Sequence, residues 1–215
     1  MTKPYTQQNL SDYFDLDLIW RRKELSDMKA AIRRADAASK SVLLRALITM
    51  CYAHWEGYVR FCASAYFEHL TLRKLPYLEL ERQIYVNSFL VRLDTLNKTR
   101  LNIDARCKLV NEILDGTGAR FGYVHPELID TKSNLSADVI KDICLICGVD
   151  STHFEDKRPF IDLIVLRRRN AIAHGQQEYI VEANIDTIVD DTLALMDHFR
   201  SLLENKIYLR TYLAA

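Results

Sequence analysis

The chain has 215 residues, about half of them hydrophobic, with 29 basic and 29 acidic side chains, so its formal charge is zero. That length holds one well-packed domain and barely two, and a neutral chain does not coat nucleic acid through bulk charge, so any such contact needs a local basic patch. Six glycines and four prolines are too few for the many tight turns of an all-β chain, and no run approaches the roughly 20 apolar residues of a membrane span.

In chain order, helical periodicity dominates. Asp12 to about Ala38 predicts a first helix, with Leu16, Ile19, Leu25, Met28 and Ile32 on its apolar face. Ser39 or Ser41 starts a second helix, apolar on most sides and therefore central, which ends near Pro76. Tyr77 to about Lys98 is a third segment, with Leu80, Ile84, Phe89, Leu90 and Leu93 facing inward. Asn102 to Asp115 is a fourth, with Ile103, Cys107, Val110 and Leu114 on one face. The stretch GTGARFGYVHPELIDTKSN then breaks the pattern, and 116–135 reads as a flexible, loop-rich insertion in a single domain of residues 1–215. Its GTGARFG follows no strand and lacks a Gly-Lys-Ser/Thr ending, so it is no phosphate loop.

Ser136 caps a short helix that Gly148 closes. Phe160 to His174 forms a further helix, and Gly175 stands one place beyond it, where a left-handed residue is favoured. Asn184 to about Leu209 is a long amphipathic last helix. The pattern predicts an all-α bundle of about six or seven helices.

Five cysteines, an odd number without framework spacing, fit a reducing compartment, and MTKPYTQQNLSDYF lacks the apolar run of a secretory signal. The expected location is cytoplasmic. Cys144 and Cys147 form a CxxC, and Cys51 with His54 has the same spacing, which would suit a Cys3His zinc site. Both pairs lie on helices rather than in knuckle loops, so they are assigned to the core, and no metal or cofactor is expected. In HWEGY, Trp55 is expected to pack and Glu56 to pair with a basic residue on another helix, Arg169 or a neighbouring arginine being a natural partner.

The segment RRRNAIAHGQ at 167–176 carries the chemistry. Arg167, Arg168 and Arg169 near a helix C-terminus complement its dipole, which alone accounts for many such clusters. Asn170 and His174 are four apart and share a face. A guanidinium beside an imidazole can neutralise charge on phosphorus and move a proton, which is what phosphodiester cleavage needs.

The motif Arg169-Asn170-Ala171-Ile172-Ala173-His174, with AHWEGYVR in the second helix and SNL before the short helix, resembles the HEPN superfamily, in particular its stand-alone prokaryotic MAE-like branch, over roughly residues 10–210. The resemblance implies an all-α domain built on a four-helix bundle that dimerises so that two motifs face each other across a cleft. It implies a metal-independent endoribonuclease of toxin–antitoxin or antiviral defence systems, with RNA as substrate and an antitoxin or other defence protein as a partner. By position, Arg169 would bind the scissile phosphate, His174 would handle the proton and Asn170 would orient either group or the RNA. Arg167 and Arg168 are assigned to RNA binding from their charge, and Glu56 with Trp55 to support behind the site. Two other readings stay open: a noncatalytic nucleotide-, RNA- or protein-binding module, and a helical interaction protein in which the arginines are surface charge.

Overall fold

The architecture comes from a computed structural model, which describes residues 3–98 and 103–214. Eight α-helices occur among the described residues: α1 Gln7–Arg34, α2 Ala37–Arg73, α3 Arg82–Lys98, α4 Ile103–Asp115, α5 Ala137–Cys147, α6 Thr152–Asp156, α7 Arg167–Ala173 and α8 Ile185–Tyr208. The all-α class is therefore as expected. Among the described residues no helix is long and apolar enough to cross a membrane.

α1 starts earlier than its periodicity suggests because Thr6 and Asn9 form a reciprocal capping box. Its inward stripe is Leu10, Phe14, Leu18, Leu25 and Ile32, whereas Leu16 and Ile19 point to solvent. Arg21 occupies one buried position of that stripe, tied to Asp17 at 2.6 Å and to the His54 carbonyl at 3.3 Å. A charged residue on the buried face is what displaced the apolar reading by a fraction of a turn. Asp36, not Ser39 or Ser41, caps α2, accepting the Ser39 N–H at 2.9 Å. The two-residue link folds α2 back along α1, and Tyr58 on α2 donates its hydroxyl to the Phe14 carbonyl.

α2 is the central element, with α1, α8 and α7 packed around it to make the four-helix core. Its core side chains fall into two clusters, one around Trp55, Tyr58, Tyr66 and Phe199, the other around Leu47, Ile48 and Ile188. Ion pairs zip α1 to α8 along their exposed edge, among them Arg33 to Asp186 at 2.8 Å and Arg22 to Asp197. Cys51 lies in the second cluster and Cys144 and Cys147 in the first, so the three thiols do not converge with His54 on one site. Burial pushes the Cys51 and Cys144 thiols up to about 12.

Around this core the third segment divides: Tyr77–Glu79 is a 3-10 turn and the helix begins at Arg82. Asn102, the expected start of α4, lies outside the described residues; from Ile103 onward the helix is as read. Its stripe of Ile103, Val110 and Leu114 is exposed, and Leu109 is the residue it buries. The 116–135 stretch is more than a connection. It opens with a 3-10 turn at Gly116–Gly118 and sends Phe121, Leu128, Ile129 and Leu135 into the core. Ser136 and Gly148 cap α5 as expected, Gly148 at φ +66°. The helix expected at 160–174 is π-helical over Phe160–Leu166 and α-helical over Arg167–Ala173. Such a π stretch rotates the residues beyond it relative to an uninterrupted α-helix, and π turns recur near functional positions.

Candidate active site

α7 ends in a Schellman motif. The Gly175 N–H bonds the Ile172 carbonyl at 3.0 Å and the Gln176 N–H bonds the Ala171 carbonyl at 2.8 Å, with Gly175 at φ +74°. Those bonds hold His174 as the last residue before the chain turns away, its ring exposed beside Asn170, Arg167 and Glu178 in a shallow depression of about 400 Å³. Arg167 is exposed, and Arg168, Arg169 and Asn170 are half-buried.

Arg169 is held from three sides. Its guanidinium carbon lies 3.7 Å from the centroid of the Tyr52 ring, well within cation–π range. Nη1 donates to Asn170 Oδ1 at 2.8 Å and Nη2 to the Ser133 carbonyl at 2.8 Å. Its Nε–H is buried with no acceptor among the described residues. The Asn170 amide then donates to Asn134 Oδ1 at 3.1 Å, so one side chain touches Arg169, the 116–135 loop and the depression that holds His174. Among the described residues none of Arg167, Arg168 and Arg169 forms an ion pair, while Asp162 and Glu178 are the acidic groups that line the same depression.

Glu56 does not pair with Arg169. Its Oε1 accepts from the Thr131 hydroxyl at 2.5 Å, which in turn accepts from Arg60 at 3.0 Å, and Tyr52 stands between Glu56 and Arg169. Burial raises the Tyr52 phenol above its usual value, with the Leu135 N–H and Arg169 pulling it partly back, so it stays protonated. Trp55 lies in the core, 1% exposed, with its ring 5.9 Å from Phe154. It supports the packing of α2.

Sequence reasoning missed Tyr52, because a stacking partner on another helix leaves no periodic signature. Ser133 and Asn134 did leave one: they open the SNL segment that shares in the family resemblance, and they prove to be the residues that grip Arg169 and Asn170. Lys132 and Ser133 hold consecutive left-handed conformations, φ +54° and +53°, which aim the Ser133 carbonyl at the guanidinium.

An all-α bundle with an Arg-Asn-x-x-x-His corner at the end of its penultimate core helix defines a HEPN-type domain. The family model described as RiboL-PSP-HEPN matches residues 16–205, nearly the whole chain, and the chain belongs to that family. The motifs alone suggested the MAE-like branch; the HEPN superfamily is what the two readings share. Comparison with curated proteins and with solved structures gave no match.

Proposed function

We propose that the chain is a metal-independent endoribonuclease that acts as a toxin or defence effector in the cytoplasm and works as a homodimer. The observation that carries this reading is the corner itself: a fixed Arg169 linked through Asn170 to the depression where His174 is exposed. Arg169 would neutralise the charge that builds on phosphorus, and Arg167 and Arg168 would bind flanking phosphates. Internal transesterification of RNA needs a base at the 2′-hydroxyl and an acid at the departing 5′-oxygen. One motif has one histidine, and a two-fold axis supplies the second.

The experiment is RNA incubated in EDTA with wild type, His174→Ala and Arg169→Ala. The wild type cuts, and each variant loses activity by about a hundredfold or more, as expected for a missing proton-transfer group or charge stabiliser. Intact RNA with the wild type, or equal cutting by the variants, overturns the reading.

A specific observation favours a second one. Three of the Arg169 contacts are to this chain's own groups, which suits a noncatalytic module that binds RNA, a nucleotide or a protein, such as an antitoxin. RNA retained by the wild type without product, and released steeply by salt, selects that alternative.

A further inference from the structure

Away from the motif, the first half of the 116–135 loop closes a concavity of about 390 Å³ against α2 and α3. That lies within the roughly 300–1,000 Å³ of ordinary small-molecule sites. Its walls are aromatic: Phe67 and Phe121 are buried, and the Tyr77 ring lies 5.6 Å from Phe121. Tyr123 lines it while 67% exposed, its ring 6.4 Å from His125 and nearly perpendicular to it, so this large ring has no core to fill.

Charge separates this concavity from its neighbours. Arg92 and Arg120 line it and no carboxylate does. Arg92 is partly neutralised by Glu112 at 2.6 Å, whereas Arg120 is exposed and, among the described residues, has no ion-pair partner. The adjoining concavity is lined by Asp94, Glu127 and Asp130 against a single arginine, Arg60, so its balance of charge is acidic. The backbone adds a third feature. Gly122, Tyr123 and Val124 lie outside any helix or strand, and among the described residues their N–H groups make no bond to the protein.

An aromatic face, free backbone donors and an unpaired guanidinium are the three things a nucleobase with its phosphate requires. We propose that this pocket holds a single nucleobase of single-stranded RNA, stacked on Tyr123, with its edge on the 122–124 backbone and its phosphate on Arg120. The same base-plus-phosphate chemistry belongs to a free mononucleotide. The proposal rests on the RNA-directed reading of the motif but not on cleavage. The loop that forms this pocket continues to Ser133 and Asn134, so the base site and the motif share one stretch of chain.

The test uses the full chain carrying His174→Ala, so that RNA stays intact, and a labelled single-stranded RNA of about 12 nucleotides. Tyr123→Ala, Arg120→Ala and Gly122→Leu are added singly and binding is followed by fluorescence anisotropy. A Cβ at Gly122, which lines the pocket, meets nothing within 4 Å, so a leucine adds bulk there without displacing backbone. Each variant is expected to weaken binding by roughly tenfold, the effect of one lost base stack, with the unfolding midpoint unchanged. Release of the RNA by AMP or UMP, dependent on Tyr123, assigns the pocket to free nucleotides; no competition assigns it to the strand. RNA and mononucleotides bound by all three variants as tightly as by their parent would overturn the proposal. Tyr123-dependent binding in a wild type that never cuts leaves the pocket standing and removes only the ribonuclease.

Discussion

At the scale of single residues, Tyr52 serves Arg169 twice: its ring carries the guanidinium, and its hydroxyl accepts the Leu135 N–H at 2.7 Å, fixing the loop whose Ser133 carbonyl grips the same guanidinium. The two roles are separable. Tyr52→Phe keeps the stack but leaves a buried N–H without an acceptor, which should cost about 1–3 kcal/mol in urea unfolding. Tyr52→Leu also releases Arg169, so RNA cleavage per folded molecule should fall well below that of the phenylalanine variant; equal cleavage would show that the stack does not position the arginine. His69 gives a second residue-scale prediction. Its Nδ1–H donates to the Pro4 carbonyl at 2.7 Å and its Nε2 faces Arg73 at 3.3 Å, an arrangement that only the neutral ring satisfies. Burial lowers its pKa, opposed in part by the Pro4 carbonyl, and burial likewise lowers those of His54 and His198. The unfolded chain therefore takes up protons near its ordinary value of about 6.5 that the folded chain refuses. Stability from these rings is complete above that value and is lost as pH falls through it. The thermal midpoint should be lower at pH 5.5 than at pH 7.5, with a smaller gap in His69→Asn, which keeps a donor toward Pro4; a higher midpoint at pH 5.5 would contradict this.

At the scale of elements, helix ends were the most readable feature and helix faces the least. Ser136, Gly148 and Gly175 announce their boundaries because each supplies a specific cap, and the Arg-to-His motif lies where its following glycine placed it. The inward face of α1 was misread because Arg21 is buried with its partners on two helices, while Leu16 and Ile19 are exposed. The stripe on α4 was correctly periodic and yet exposed, since periodicity reports a stripe and not what covers it. Nothing local announces the π stretch before α7. The two left-handed glycines give a paired prediction. Gly175→Ala meets no atom within 4 Å and should cost about 1 kcal/mol, purely for its backbone. A Cβ at Gly148 would fall 2.5 Å from Glu81 Oε1 and 2.8 Å from Lys206 Nζ, breaking into a half-buried ion pair. Gly148→Ala should therefore be the more destabilising in urea; the reverse order would mean that α8 does not lean on that ion pair.

At the scale of the molecule, the four-helix core presents Arg169 and Asn170 from α7 to a loop that lies far from them in sequence, and this long-range meeting is what local patterns could not convey. The proposed dimer belongs to this scale. If each cut needs a histidine from both copies, re-equilibrating equal amounts of wild type and His174→Ala leaves wild-type pairs as about a quarter of the dimers by random pairing. Cleavage should then fall to about that fraction rather than to half, and a proportional loss would mean that each subunit cuts alone. The most direct test of the central claim, that paired Arg169 and His174 corners cleave RNA through its own 2′-hydroxyl, is the chemistry of the cut ends. Mass spectrometry of the fragments should find 2′,3′-cyclic phosphates and 5′-hydroxyls; 3′-hydroxyls with 5′-phosphates would contradict it.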